Sequence, residues 1–418
     1  NIGHKGREVH DMRGKRLQDF SQAELSHYAD YCINDTELTR KLFDELIKGF
    51  PRQELITIDQ VLRMFTEPTF ELDRMVLDTR LAEIRLEKQH LMDTLGDASS
   101  EEGRNAIRAT LMSNEKFATL LHEHGIEPPT KISPRTGKTA YAFSKTDEAF
   151  LELREHSDSF VVAAVTARLG VKSTLEETRC ESFIGISQRT PEGKLPILLN
   201  YAGAHTSRFS GGDGINLQNL NRGGALRRAL KAPKGYVVIA SDLSQIEARL
   251  LSYVSGQDDL VEAFAQGRDI YSEFATDVYD RTITKADKAE RYLGKTCILG
   301  LGFGVGHIKL RKTLAIGQGG ISVSLNEAEC QRIVNLYRSK NRRIKQFWGR
   351  CGDALFELTL GNEGYLDPKR LIKYANSSII LPCGTTILYP GLEGNGSVGF
   401  TYKNRTKLEH IYGGKVTE

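Results

Sequence analysis

The most constraining stretch of the chain runs Val237-Val238-Ile239-Ala240-Ser241-Asp242-Leu243-Ser244-Gln245-Ile246-Glu247-Ala248-Arg249-Leu250-Leu251. Tyr236 to Ala240 is a short apolar, β-branched run of the kind that forms a buried strand, and helix-compatible residues follow soon after Asp242. A strand-to-helix turn of this form predicts a carboxylate held stiffly at a sheet margin. Metal-assisted phosphoryl transfer needs such a group, an oxygen ligand for a hard divalent cation on an inflexible support. The same residues admit plainer roles. Asp242 can be a turn residue, Ser244 and Glu247 form an S-x-x-E capping box, and Arg249 can be a solvated helix residue.

A second stretch, Lys285 to Gly306, reads as a helix that Thr284 can cap and that ends among glycines. Arg291, Lys295 and Leu299 are each four apart, so a helix advances roughly one turn plus 40° between them and all three share a face. Two cations and an apolar residue on one face could hold a triphosphate against a flat ring. They could equally be an ordinary solvated face. Gly300, Gly302 and Gly304 would let another backbone or a base come close. No GK[ST] follows a strand, so this is not a Walker loop.

Size and charge narrow the class. A chain of 418 residues is long enough for two or three domains. With 39% hydrophobic and 27% charged residues, a packed core is expected rather than disorder. No apolar run approaches the ~18 residues of a membrane span, and the start, Asn1-Ile2-Gly3-His4-Lys5, is not a signal peptide. It also lacks an initiator Met, which predicts a piece of something longer. Net charge is only +3, but the cations cluster: Arg222, Arg227, Arg228, Lys231 and Lys234 in one run, Arg338, Lys340, Arg342, Arg343 and Lys345 in another, and Lys172 beside Ser173 and Thr174. Such runs favour phosphate contact, although each alone is compatible with a solvated surface. The six cysteines form no CxxC pair, which predicts reduced thiols in an intracellular protein.

Periodicity predicts helix over 19–48, with Asp19 or Ser21 as cap, over 75–95, and from roughly 145 to 169. Residues 183–202 read as strands, through Phe183-Ile184-Gly185-Ile186 and Leu195-Pro196-Ile197-Leu198-Leu199. Gly and Asn mark a loop from His205 to Gly224. Asp258 to Arg350 reads as mostly helical, and 378–389 as strand about the turn Pro382-Cys383-Gly384. The expected class is α+β, with helices at both ends of a central sheet region.

Ser241-Asp242-Leu243-Ser244-Gln245-Ile246-Glu247-Ala248-Arg249 resembles motif A of the family A DNA polymerases, the bacterial polymerase I group. Arg291, Lys295 and the glycine-rich end to Phe303-Gly304 resemble their motif B, the fingers helix. Thr206-Ser207-Arg208-Phe209-Ser210, followed by Asn216-Leu217-Gln218-Asn219, resembles the T-x-R-x-S…N-L-Q-N segment ahead of motif A. Order and spacing agree over roughly residues 60 to 418. Lys131-Ile132-Ser133-Pro134, Leu381-Pro382-Cys383-Gly384 and Tyr412-Gly413-Gly414-Lys415 look most like phage members.

The resemblance implies a right-hand polymerase: thumb at 61–195, palm at 196–260 and 378–418, and fingers at 261–377. Asp242 would be one of two carboxylates holding two Mg²⁺ ions. Glu247 would close the sugar pocket against a 2′-hydroxyl. Arg291 and Lys295 would bind the triphosphate and neutralise its developing charge, with Lys295 counted as catalytic. Phe303 would lie near the templating base. Arg208, Asn216, Gln218, Asn219, Arg249 and Lys172 would touch DNA. Partners would be primer–template DNA and dNTPs, with no membrane, in a monomer of the (host) cytoplasm.

Three departures follow. Leu243 replaces the usual Tyr. Leu299 stands where many relatives carry Phe or Tyr, which predicts altered speed and analogue discrimination. Motif C, the His-Asp-Glu hairpin with the second carboxylate, is missing, so this fragment by itself is expected to polymerise little. At the amino end Tyr31-Cys32-Ile33-Asn34-Asp35 fits the Y-x3-D motif of a linked RNase H-like 3′–5′ exonuclease, with Tyr31 and Asp35 one helical turn apart. Residues 1–60 would then be the remnant of a truncated proofreading domain whose D-x-E motif would precede Asn1. Two other readings are a single-subunit RNA polymerase, against which Glu247 argues, and a non-catalytic nucleic-acid-binding module.

Overall fold

The computed structural model describes residues 3–96, 100–133, 137–204, 206–212, 216–394, 399–404, 407–412 and 415–417. His205, Pro134, Gly413 and Gly414 of the motifs above lie outside the described residues. The chain divides into two compact units, one of Asp59–Ser244 with Ile316–Ser322, the other of Asn1–Ile58, Gln245–Ala315 and Val323–Glu418.

The Asp59–Ser244 unit is built on helices. Asp73 accepts from the Val76 N–H at 3.2 Å and starts the helix Arg74–Asp93, an ordinary N-cap. Leu77 and Ile84, two turns apart, are buried on one face. Arg80 and Lys88 flank that buried stripe and pair with Glu176 at 3.0 Å and Glu177 at 2.6 Å on the helix Leu175–Arg189. That helix corrects the strand expected at 183–186. Phe183 and Cys180 are both fully buried, three residues apart, in a cluster with Leu72, Leu77 and Leu226. Burial of a helical stripe overrides the strand preference of a short Phe-Ile-Gly-Ile run. Of the strand expected at 195–199, only Leu199–Asn200 pairs, with Ser210–Gly211.

The helix expected over 145–169 is two pieces, Glu148–Glu152 and Ser159–Lys172. The second is apolar nearly all round, with Val161, Ala164, Val165 and Ala167 buried against Leu111, Phe117 and Phe150. Arg168 is buried with them. Its guanidinium donates to the backbone carbonyls of Leu111 and, at 3.0 Å, Ser113, and to Asn114 Oδ1. It also lies 5.0 Å from the Phe117 ring centre. The cation thus serves the carbonyl end of the helix Glu101–Met112, where positive charge is favoured. Burial pulls its pKa down to about 10.

In the other unit, Ser21 caps the helix Gln22–Leu46 through a complete box with Glu24. Asp258 to Arg350 is mostly helical, as expected, and the helices run from Ile246 to Thr359: Ile246–Ser255, Asp258–Ala265, Ile270–Tyr279, Lys288–Gly302, His307–Ile316, Glu327–Lys340 and Arg342–Thr359. Phe264, Phe274, Leu293, Cys297, Leu301 and Tyr337 form their core. Thr284 is not the cap of Lys288–Gly302. Asp287 is, and Thr284 donates to the Asp287 carboxylate at 3.0 Å. There is no central sheet among the described residues. Two four-stranded antiparallel meanders lie toward the carboxyl end, Gly364–Tyr365 to Thr386–Leu388 and Glu393–Gly394 to Lys415–Thr417. In the first, Asn376 and Ser377 both take positive φ in the tight turn between Lys373–Ala375 and Ser378–Ile380, as a primed hairpin turn requires. All six cysteines are free. No helix among the described residues is long and apolar enough to cross a membrane.

One glycine sets the closest helix contact. A Cβ on Gly294 would sit 2.0 Å from the Tyr271 carbonyl oxygen, whereas one on Gly300 would meet nothing nearer than Val305 at 4.0 Å. Gly294→Ala is therefore expected to destabilise the protein by about 1–3 kcal/mol or more. Gly300→Ala should be neutral or stabilising by about 0.5–1 kcal/mol. Chemical denaturation of both variants checks this, and equal midpoints would contradict it.

Candidate active site

The segment around Asp242 departs most from expectation. Tyr236 to Leu243 forms no strand, and its apolar side chains face solvent: Val237 is 80% and Ile239 86% exposed. Asp242 is exposed as well. A strand is defined by its partner's hydrogen bonds, and β-branched residues supply only the capacity for it. No described residue pairs with this segment. The helix that follows starts at Ile246, with Gln245 in the left-handed region (φ 58°) as its N-cap. The S-x-x-E box is therefore not the start of this helix.

The cation face is more organised. Arg291 makes a bidentate pair with Asp269, Nε to Oδ2 at 2.7 Å and Nη2 to Oδ1 at 3.2 Å. Its guanidinium also lies 5.4 Å from the Tyr271 ring centre. Asp269 caps the helix Ile270–Tyr279. Burial alone would raise its pKa, but the Arg291 pair and the Ser272 hydroxyl outweigh burial and hold the carboxyl below the usual aspartate value. The Tyr271 hydroxyl is hydrogen-bonded by Gln245 and feels the charges of Arg291, Asp269 and Glu247, while burial raises its pKa overall. Thus Glu247 and Arg291 share one neighbourhood, joined by Gln245, Asp269 and Tyr271. Gln245 lies in the stretch that resembles motif A, whereas Asp269 and Tyr271 carry no sequence signal beyond an aspartate just ahead of an apolar helical stripe.

Lys295 lies on the same helix as Arg291, half-buried, with no carboxylate partner among the described residues. Leu299 packs against the helical core. Phe303 ends the helix, 59% exposed, and Gly304 beyond it takes φ 72°. Gly302 allows close packing instead of a base contact: a Cβ there would lie 2.8 Å from Leu251, and its carbonyl accepts from Trp348 Nε1 at 3.0 Å. The Arg249 guanidinium donates to the Phe264 carbonyl at 3.4 Å and covers the Phe264 ring at 4.8 Å, tying two helices together.

In the Asp59–Ser244 unit, Arg208, Gln218 and Asn219 are exposed. Asn216 accepts from the Gln218 N–H at 3.0 Å and caps a short turn of helix, and the Asn219 carbonyl accepts from Arg179. Lys172 donates to Asn114 Oδ1 at 3.0 Å, and burial and the nearby Arg168 lower its pKa. At the amino end, Tyr31 and Asp35 meet with Lys5. Lys5 pairs with Asp35 at 3.2 Å, and the Tyr31 hydroxyl bonds the same carboxylate, which raises its pKa. Hard divalent cations need several oxygen ligands. No group of three His, Cys, Asp or Glu that could hold a metal ion occurs among the described residues. These residues therefore do not by themselves build a two-Mg²⁺ site.

Comparison with known proteins places this geometry. The profile described as DNA polymerase family A matches residues 80–357. The chain is 26% identical over 319 residues to DNA polymerase I of Chloroflexus aurantiacus, covering 73% of this chain and 32% of that protein. It is 34% identical over 292 residues to the thermostable DNA polymerase I of Thermus thermophilus, covering 67% and 33%. It thus spans about a third of the length of these relatives. Among solved structures, it is similar to the POL domain of Pol1 from M. smegmatis in complex with DNA primer-template and dNTP. That likeness has a TM-score of 0.58 and 19% identity, covering 87% of this chain and 60% of that one. It supports the α+β polymerase-domain fold. The matched profile takes in two thirds of the chain, and the chain belongs to DNA polymerase family A.

Proposed function

We propose that the chain is the polymerase portion of an enzyme that adds dNTPs to a primer 3′-OH on a DNA template by two-metal phosphoryl transfer. The observation that carries this is the family match over 80–357, which takes in Arg208, Asp242, Glu247, Arg291, Lys295, Leu299 and Phe303. The placing of the Arg291 guanidinium over the Tyr271 ring, in a neighbourhood where Tyr271 also feels the Glu247 charge, supports it. Arg291 and Lys295 would bind the triphosphate, Arg291 after leaving Asp269. Glu247 would exclude the 2′-hydroxyl. Phe303 would face the templating base. Arg208, Asn216, Gln218, Asn219, Arg249 and Lys172 would line the DNA. The thumb, palm and fingers would fall at 61–195, 196–260 with 378–418, and 261–377. Residues 1–60, with Tyr31 and Asp35, would be an exonuclease remnant. A role in phage replication, as a monomer in the host cytoplasm, fits the phage-like phrases.

Asp242 would be one carboxylate for Mg²⁺. The exposed, unpaired Tyr236–Leu243 run supports a further reading: this segment becomes a strand only when another strand pairs with it, and the second carboxylate arrives on that strand. The chain alone would then bind its substrates but extend primers little.

Binding and extension can be read separately. With a dideoxy-terminated primer–template, the matched dNTP is expected to tighten retention of the DNA, and Arg291→Ala with Lys295→Ala to abolish that effect. Retention indifferent to the matched dNTP would refute the polymerase reading. Robust primer extension by residues 1–418 would refute only the reading of low activity. In the same retention assay, Glu247→Ala should narrow the preference for dNTP over rNTP by about tenfold, ~1.4 kcal/mol; an unchanged preference would remove the sugar-pocket role.

The Asp269–Arg291 pair carries a pH signature. A carboxylate whose folded pKa lies below its unfolded value stabilises the fold above the unfolded value, and that contribution fades as pH falls toward the folded one. Asp269 is shifted in this direction. The stability gap between wild type and Asp269→Asn should therefore be full above the ordinary aspartate range and shrink in acid. Denaturant titrations across pH measure it, and a gap that stays constant would contradict the pairing.

A further inference from the structure

The second cation run folds into a groove that the polymerase reading leaves unused. A cavity of about 560 Å³ lies between the end of the helix Glu327–Lys340 and the start of Arg342–Thr359, lined by Asn335, Arg338, Ser339, Arg342, Lys345 and Gln346. Three of these six are cations and none is acidic. Arg338, Arg342 and Lys345 have no carboxylate partner among the described residues, whereas their neighbour Lys340 is paired with Asp277.

The groove is built into the fold. Asn341, the single residue between the helices, is buried and donates to the Tyr337 carbonyl at 2.9 Å. Tyr337 and Ile344, on either side of it, are both buried. The Arg343 N–H donates to Gln257 Oε1 at 3.0 Å, and Arg342 Nε donates to the Ser339 carbonyl at 3.2 Å. The cations therefore project from a helix corner whose backbone is already fixed before they bind.

We propose that this groove holds the phosphodiester backbone of single-stranded DNA. Guanidinium forks match phosphate oxygens, and a positively charged groove that tracks the backbone is how single strands are held. The lining offers no apolar or aromatic anchor, which a protein partner would require at the centre of its contact. It also offers no ring for base stacking, so the contact reads phosphate and not sequence. The assignment rests on the polymerase reading only in taking DNA as the polyanion.

The test is fluorescence anisotropy with the full chain and two probes, a hairpin duplex with a long 5′ single-stranded overhang and the same hairpin cut blunt, over a salt series. The variant Arg338→Gln/Arg342→Gln/Lys345→Gln should bind the overhang probe about tenfold or more weaker at low salt. Its slope of log K against the logarithm of salt concentration should be shallower by about two, at ~0.7 for each single-strand phosphate that is no longer neutralised. Blunt-duplex binding and the thermal midpoint should not change. A charge-matched variant, Arg40→Gln/Lys41→Gln/Lys48→Gln, should leave overhang binding as it was. Equal affinity and slope for wild type and the groove variant would overturn the proposal and leave an acidic partner as the groove's occupant. Equal weakening on both probes, or in the charge-matched variant, would also overturn it. If the wild type binds neither probe, the polymerase reading falls along with this one.

Discussion

Two helices, Ile270–Tyr279 and Lys288–Gly302, pack backbone to backbone because Gly294 has no side chain to put between them. The Tyr271 carbonyl occupies the place where a Cβ would stand. At that spacing Asp269, at the start of one helix, meets Arg291, less than a turn before the glycine on the other. Burial would otherwise push Asp269 toward its neutral form. The guanidinium reverses that, and the pair stays ionised in surroundings where charges act on each other more strongly than in water. Tyr271, held between them, carries the arrangement on to Gln245 and Glu247.

That geometry also makes Arg291 a partnered cation, whereas Lys295 on the same helix has no carboxylate partner among the described residues. A nucleotide's phosphates would compete with the Asp269 carboxylate for one fork of N–H donors. On the proposed function, phosphate affinity at this helix would be a difference between two charge-assisted interactions, with the aspartate setting the threshold.

The Tyr236–Leu243 segment teaches the opposite lesson. Its residues Tyr236 to Ala240 are strand formers by local measure, yet the structure leaves them unpaired among the described residues and exposed. A strand's stability is a property of two chains in register, and one member of the pair carries only half the information. Phe183-Ile184-Gly185-Ile186 failed as a strand for a related reason. The neighbouring helix offered Phe183 and Cys180 a buried face at helical spacing, and burial of two side chains outweighs a weak local preference.

Much of the helical architecture was legible in the chain alone, because helical period and capping are local. The Ser21 cap, the Arg74–Asp93 stripe and the shared face of Arg291, Lys295 and Leu299 all follow from spacing along one segment. The family resemblance was legible for the same reason, since its motifs are short and ordered. What only the tertiary structure decided were encounters between distant residues: Asp269 with Arg291, Arg249 with Phe264, Arg168 with the end of the helix Glu101–Met112, and the cation groove at a helix corner fixed by Asn341. Each depends on which elements pack together and how closely, and no local pattern encodes the distance between two charges on different helices.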